Sequence, residues 1–437
     1  MWTYHPELLA VPVPRYTSFP TAAEFGEGVG ASQLVSALEE TKGEVSLYVH
    51  IPFCEKICWY CGCNTSVANL SDRVASYLDA LHREIALVSE LLPKTARIAR
   101  IAFGGGSPNG ISPVAFVRLV DELTLHFAAS SPVISIELDP RTLTPEWAEV
   151  IASVGISRAS MGVQTFAPAL QTAIGRVQPA AMIETGTAML RSAGVGSINF
   201  DLMYGLPGQT LADLRDSLER TVALGADRIA LFGYAHVPHL IARQRKIDAA
   251  DLPDAEVRFA MAAFGYLFLV EAGYVPIGFD HFAKPGDAIA QVALSGRLHR
   301  NFQGFTEDQA PVLVGLGASA ISSFPGLLVQ NEKNTGRYRM MLSQDRLSAD
   351  RGILRGAEDR RRGKVIEDLL CRGRAHIDQD LRREAWPMLA PYFAAGLCEG
   401  DGDDLVIAPD GLPYARSIAA RFDPYRKDSL RRFSSAV

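Results

Sequence analysis

From residue 45 to residue 234, short apolar runs alternate with helical patterns. The runs are Val45–Ile51, Ile98–Phe103, Val133–Leu138, Ser157–Val163, Ser197–Leu202 and Arg228–Tyr234. Each is β-branched or otherwise apolar and reads as a strand. Between them, Ser71–Leu92, Ser112–Phe127, Thr144–Val154, Pro179–Ala193 and Gln209–Leu224 carry apolar residues near helical spacing. Ser71 and Thr144 suit helix N-caps, the latter with Pro145 at the first helical position. Gly155, Gly194 and Gly225 suit helix C-terminal stops. Repeated strand–helix units predict a parallel sheet covered by helices. Six units are fewer than a complete eight-fold barrel needs. An open, partial βα barrel and a doubly wound sheet both satisfy the pattern. A helix over Ala255–Ala272 and a strand-like run at Tyr274–Gly278 follow. After about Pro285 the alternation fades. The charged stretch Ser343–Lys364 predicts a solvated linker or surface helix. From Val365 onward the pattern is helices plus a hairpin around Glu399–Asp404. That outline resembles a winged helix, but its acidic turn argues against DNA binding.

Composition narrows the class. A chain of 437 residues predicts two or three domains, or one large barrel with appendages. With 48% hydrophobic and 21% charged residues, a sizeable core can be buried and global disorder is excluded. Lys plus Arg total 43 against 49 Asp plus Glu, a net charge of −6, so the basic footprint of a nucleic-acid binder is missing. No apolar run reaches the roughly 18 residues that suggest a membrane span. The first residues lack the basic-then-apolar pattern of a secretory signal. A cytoplasmic monomer with no nucleic-acid or membrane partner is expected.

Cysteine placement says more than cysteine count. Four of the six fall together at Cys54, Cys58, Cys61 and Cys63, while Cys371 and Cys398 are isolated in apolar contexts and read as packing residues. A disulfide framework would spread its cysteines through a small secreted chain. The cluster follows the first strand as C-x3-C-x2-C. Three thiolates on one short loop can hold three irons of a four-iron cluster and leave the fourth open. A zinc site would need a fourth ligand, for which Cys63 or His50 is available. The other unusual residues also follow strand C-termini: Gly104-Gly105-Gly106-Ser107-Pro108 after strand two, Glu137 at strand three, Gln164 at strand four, Asp201 at strand five, Ala235-His236 after strand six. Barrels and open α/β sheets carry their sites at this edge.

With Tyr60 before its last cysteine, the loop resembles the signature of the radical S-adenosylmethionine (SAM) superfamily. A longer ordered set resembles the oxygen-independent coproporphyrinogen III oxidase (dehydrogenase) family. It comprises Pro14-Arg-Tyr-Thr-Ser-Phe-Pro-Thr21, Tyr48-Val-His-Ile-Pro-Phe-Cys54, Cys61-Gly-Cys63-Asn64, Ile136-Glu137-Leu-Asp-Pro140, Met161-Gly-Val-Gln164, Asp201-Leu-Met-Tyr-Gly-Leu-Pro207, Tyr234-Ala-His-Val-Pro238, Asp280-His-Phe282 and His299-Arg-Asn-Phe-Gln-Gly304. The resemblance implies an α/β fold: a partial (β/α)6 radical-SAM barrel over residues 41–290, an N-terminal extension over 1–40 contributing to the active site, and a mainly helical C-terminal domain over 291–437 with a small hairpin. It implies one four-iron four-sulfur (4Fe-4S) cluster on Cys54, Cys58 and Cys61, and two SAM molecules. Tyr48, Gly105, Glu137 and Ile321 would contact the first. Tyr60, Gly106, Ser107, Gln164, Arg176, Asp201 and Ala235 would contact the second. Tyr48, Glu137, Arg176 and Asp201 are the implied catalytic set. The implied reaction turns two propionates of coproporphyrinogen III into vinyl groups with loss of two CO2, using an adenosyl radical, an external electron donor and an external electron acceptor. Four substrate carboxylates call for cationic groups, with Arg15, His299 and Arg300 as candidates.

Departures from the family pattern fall near the second SAM. Ser107 stands where Thr is usual, Thr165 where Asp is common, and Gly233 where Asn is usual. Two other functions remain open on sequence: a haem chaperone of the same superfamily, against which Cys63 and Arg15–Ser18 argue, and a radical-SAM methyltransferase acting on haem or another ring.

Overall fold

The computed structural model describes residues 2–67 and 71–426. Six parallel strands form its centre: β1 (Gly43–Ile51), β2 (Ala96–Gly105), β3 (Val133–Leu138), β4 (Ile156–Gln164), β5 (Ser197–Tyr204) and β6 (Arg228–Gly233). They lie side by side in chain order. A doubly wound sheet would reverse direction from its first strand, so this order selects the singly wound, partial barrel. The connecting helices are α1 (Ser71–Leu91), α2 (Pro113–His126), α3 (Pro145–Ser153), α4 (Ala180–Ser192) and α5 (Leu211–Ala223). Their apolar faces share one core with the sheet, as in the ring chain Phe103–Phe116–Trp147. Thr144 caps α3, accepting from the Trp147 N–H at 3.3 Å. Gly155 follows with φ +72°, a left-handed stop that a side chain would strain. The side chain of Ser71, the other expected cap, lies outside what is described, and its backbone is already the first residue of α1.

The sheet continues beyond the six strands at both ends. After α6 (Ala255–Glu271), β7 (Val275–Ile277) and β8 (His281–Ala283) attach antiparallel beside β6. At the other edge, β9 (Val312–Leu316) pairs parallel with β1, Tyr48 opposite Gly315. β10 (Ile321–Phe324), β11 (Leu327–Asn331) and, after α7 (Thr335–Leu342), β12 (Ala349–Leu354) follow antiparallel, giving twelve strands among the described residues. The strand–helix alternation fades after Pro285 as expected, since β9, β10 and β11 follow one another with no helix between, and one expectation is corrected: Ser343–Lys364, read as a solvated linker or surface helix, contributes a strand to the sheet before its helix begins. Ala349–Leu354 is the outer strand, covered at Gly352 by a bridge to Gly26, and Ala357 opens the long helix α8 (Ala357–Arg372). Their polar sequence hid them because pairing, not a continuous apolar run, holds β12. Strands of this one sheet therefore come from both sides of residue 290, the expected boundary. The C-terminal part holds α8, α9 (Gln379–Ala394) and a three-stranded sheet with the Cys398–Asp401 and Asp404–Ile407 hairpin. Cys371 and Cys398 are buried there, as expected. Among the described residues, no helix is long and apolar enough to cross a membrane.

An ion network closes the barrel at the strand N-termini. Arg100 (β2), Arg158 (β4) and Arg228 (β6) converge on Glu307, Asp308 and Asp287; Arg100 to Glu307 is 2.8 Å and Arg228 to Asp287 is 2.7 Å. The strand C-termini stay open.

Glu84 of α1 ties the late strands to the barrel. Its buried carboxylate accepts from the Gly317 N–H (2.6 Å), the Asn331 amide (2.7 Å) and the Tyr338 hydroxyl (2.7 Å). Burial pushes this carboxyl from its ordinary 4.5 up to about 7, against the pull of those donors. The folded chain then binds a proton that the unfolded chain has released. Stability contributed by this group is full below pH 4.5 and is lost as pH rises through about 7. Urea titrations at pH 5 and pH 8 are expected to show that loss, and Glu84→Gln to flatten it. Glu84→Ala strands three buried donors and is expected to cost roughly 3 kcal/mol.

Candidate active site

Strand β1 runs straight into the cysteine loop, and the glycine run of β2 clasps it. The Gly106 N–H donates to the Ile51 carbonyl at 2.8 Å, and the Ser107 N–H to the Phe53 carbonyl at 2.7 Å. Such an approach has no room for side chains. A Cβ on Gly106 would lie 2.5 Å from the Phe53 carbonyl oxygen, and one on Gly105 (φ +114°) 2.6 Å from the His50 ring. The loop beyond carries Cys54, Cys58 and Cys61 onto a cavity of about 190 Å³. Tyr60, Gly105, Gly106, Glu137, Gln164, Arg176 and Asp201 line the same cavity. Tyr48, Ser107, Ala235 and Ile321 do not.

The electrostatics centre on Cys58. Arg176 reaches its sulfur at 3.2 Å and Arg141 at 3.4 Å. Both guanidiniums are held by Asp139: Arg141 at 2.6 Å and Arg176 at 3.3 Å. Burial alone would raise the Asp139 carboxyl, but Arg176 and Arg141 hold it below the usual carboxylate range. Arg176 also donates to the Gly162 carbonyl at 2.8 Å, so it is fixed in place. Burial pushes the Cys54 thiol up to about 12. A hydrogen bond from Cys63 brings Cys61 down to about 6 against burial, with Arg243 and Arg176 assisting. Among the described residues no three His, Cys, Asp or Glu side chains converge on a single metal ion. A four-iron cube spreads its thiolates over separate corners, so this spread of sulfurs around a cavity fits a cluster. His50, the alternative fourth zinc ligand, is committed elsewhere. Its Nδ1 lies 3.1 Å from the Tyr48 hydroxyl, and its Nε2 is 3.3 Å from the Asn64 carbonyl and 3.4 Å from the Ser319 hydroxyl.

The acids occupy the opposite wall. Glu137 faces the cavity and accepts from the Gly105 N–H at 3.2 Å. Enclosure by protein raises its carboxyl, Asp201 raises it further, and the Gly105 N–H lowers it, for a net rise to about 7. Asp201 accepts from Ser160 (3.0 Å) and Asn199 (2.8 Å), with burial raising its carboxyl. Gln164 ends β4 in the left-handed region, φ +66°, which marks strain at a site position. Gly162 makes room there, since a Cβ would meet the Gln164 amide at 2.8 Å and Arg176 at 2.9 Å.

Four expected residues act at one remove or sit apart. Buried Ser107 accepts from the Asp139 N–H at 3.2 Å and so positions the Asp139 turn. Tyr48 pairs with His50. Ile321 lies on β10 against Gly315, the partner of Tyr48 in β9. Ala235 is joined to the cysteine loop through Gln244, whose amide donates to the Ala235 carbonyl at 3.0 Å and the Tyr60 carbonyl at 2.9 Å. Sequence reasoning quoted Asp139 and Gly162 within family motifs without giving either a role, and missed Arg141, Ser160 and Asn199. Asp-Pro-Arg at 139–141 carried a signal, an acid capping a turn whose third residue is its own cation; Ser160 and Asn199 had none. The departures are accommodated. Thr165 is buried beside Ser217, and Gly233 leaves space that a Cβ would close 2.9 Å from the Tyr204 hydroxyl. His299 is spent on Glu367 (3.1 Å) and Gln309 (3.2 Å).

A partial parallel barrel with this cysteine loop at its open end defines a class. Residues 48–221 match the profile of the Radical SAM superfamily. An oxygen-independent coproporphyrinogen III oxidase of Bradyrhizobium diazoefficiens is 41% identical over 97% of both chains. The Escherichia coli enzyme of that name is 36% identical over 97% of this chain and 96% of its own. A solved structure of coproporphyrinogen III oxidase from Escherichia coli, a radical SAM enzyme, superposes with a TM-score of 0.91 at 35% identity, covering 97% of this chain and 99% of that one. The chain therefore belongs to the oxygen-independent coproporphyrinogen III oxidase family.

Gly106→Ala is expected to push the cysteine loop off the glycine turn. Iron bound after anaerobic reconstitution should fall severalfold, with circular dichroism unchanged; full iron content would contradict the clasp.

Proposed function

We propose that this chain converts coproporphyrinogen III to protoporphyrinogen IX without oxygen. The observation that carries the reading is the convergence of Cys54, Cys58 and Cys61 with Gly105, Glu137, Arg176 and Asp201 around one cavity. Near-full-length relatives named for that reaction support it. Cys54, Cys58 and Cys61 hold a 4Fe-4S cluster. A bound cluster with SAM supplies one-electron cleavage of a carbon–sulfur bond to a hydrogen-abstracting radical. Gly105 and Gly106 admit ligands against bare backbone, where side chains would block approach. Tyr48, Glu137 and Ile321 serve the first SAM with Gly105, Tyr48 acting from its place beside His50. Tyr60, Gly106, Ser107, Gln164, Arg176, Asp201 and Ala235 serve the second, and the fixed Arg176 guanidinium suits a carboxylate. Each propionate loses one hydrogen atom, one electron and CO2 as the vinyl group forms. An electron donor and an acceptor outside the chain complete the balance. Residues 1–40 contribute to this region, since Arg15 lies 4.9 Å over the Phe232 ring at the end of β6. We read the chain as a cytoplasmic monomer, with residues 41–290 as the barrel unit and 291–437 lending it strands at one edge.

Anaerobically reconstituted protein given SAM and a reductant is expected to yield product lighter by two CO2 and four hydrogens by mass spectrometry. Methylated product, or haem retained without decarboxylation, would overturn the assignment. Cys58→Ala is expected to reduce turnover below detection.

A further inference from the structure

Two guanidiniums reach the Cys58 sulfur from different elements. Arg141 stands in the single turn Pro140–Thr142 that follows β3, and Arg176 in the loop between the short helix Pro168–Ala173 and α4. Neither is free to swing away. The Arg141 Nε donates to both oxygens of Asp139, at 3.0 and 3.1 Å, and its backbone N–H donates to the same carboxylate at 3.0 Å. Its Nη2 is shared among Asp139 (2.6 Å), the Lys56 carbonyl (3.1 Å) and the Cys58 sulfur (3.4 Å). Arg176 gives Nε to the Gln178 side-chain oxygen at 3.0 Å and Nη1 to the sulfur at 3.2 Å. Cys58 is 5% exposed and the Arg141 side chain 12%, so water and salt screen this contact little.

The SAM residues named above include Arg176 but not Arg141, so Arg141 has no work in that account. A hydrogen bond donated to a ligating sulfur is one of the levers by which a protein sets the potential of an iron–sulfur cluster. Uptake of one electron makes a cluster and its thiolates one charge more negative. A cationic N–H held against a ligating sulfur therefore stabilises the reduced state more than the oxidised one. Asp139 offsets part of the charge of the two guanidiniums. It also fixes where Arg141 lies, so the directed contact to the sulfur remains.

We propose that Arg141 tunes the cluster held at Cys58, raising its reduction potential through the contact with that sulfur. This rests on the ligand role given to Cys58 above. The electron arrives singly from a donor outside the chain, which is oxidised as the cluster is reduced. Arg141 keeps its proton throughout, and no bond forms or breaks at it. A higher potential widens the range of outside donors able to charge the cluster. Asp139 is the positioning residue in this arrangement, because it holds the guanidinium in place.

The test is a redox titration of anaerobically reconstituted protein, followed by electron paramagnetic resonance, with titanium(III) citrate as the one-electron reductant. SAM is left out so that its own contacts do not enter, and iron and sulfide are counted in each sample. In Arg141→Gln the constant for one-electron reduction is expected to fall about tenfold, a shift of about 59 mV to lower potential. Arg141→Lys keeps the charge but loses the planar fork, and its midpoint should lie between the two. A residue that only braced the loop would lower the amount of cluster and leave the midpoint of the remainder in place. An unchanged or higher midpoint in Arg141→Gln therefore overturns the inference. Where Arg141→Gln holds too little cluster to titrate, Arg141→Lys decides: a midpoint below wild type supports the inference, and one equal or above overturns it. Cluster lost from both variants would mark Arg141 as a brace and overturn it as well. Wild-type protein without a four-iron cluster, or Cys58→Ala holding as much cluster as wild type, would instead defeat the ligand role of Cys58.

Discussion

One buried carboxylate organises the cysteine end of the barrel. Asp139 holds Arg141 and Arg176 at once, and both guanidiniums then rest on the Cys58 sulfur. Buried ion pairs add little net stability, but removing one partner is costly, roughly 3–5 kcal/mol, because the other charge is left dry and alone. Loss of Asp139 would strand two cations. Its own position is set by backbone, for its N–H is read by Ser107 and Asn109 of the glycine turn. The glycine turn is in turn zipped to β1 below the cysteines. Strand, turn, carboxylate, cations and thiol thus form one closed circuit, and no part can move alone.

The two ends of the barrel use the same residue types to opposite effect. At the strand N-termini three arginines meet three acids, and the charges cancel into a floor. At the C-termini the guanidiniums of the cavity, Arg141 and Arg176, are spent on Asp139, and the carboxyls of Glu137 and Asp201 are raised by burial instead. Charge balance, not residue identity, separates structure from chemistry here. Composition cannot register that difference, because both ends contribute equally to the count.

Much of the fold was legible because it is local. All six barrel strands and the five helices between them were found within a few residues, since period and punctuation lie within each segment. The late strands were not found. β9 pairs with β1 across more than half the chain, and β12 is a polar edge strand whose partner alone makes it a strand. In the site, Cys54, Cys58, Cys61, Gly105, Glu137, Gln164, Arg176 and Asp201 were all named in advance and share one cavity. Arg176 is instructive: on a helical segment it reads as solvent-facing, and only the resemblance singled it out. Ser160 and Asn199 hold Asp201 yet look like ordinary strand polar residues.

By itself, the sequence determined the order of strands and helices, the edge at which chemistry collects and the sulfur ligands available. Each of these is written in spacing along one stretch of backbone. Tertiary structure alone decided that twelve described strands join one sheet, that Asp139 governs Cys58 from three elements away, and that Arg15 of the N-terminal extension lies over Phe232 at the end of β6. Those facts depend on distances between segments far apart in the chain, and they exist only once packing has brought the segments together.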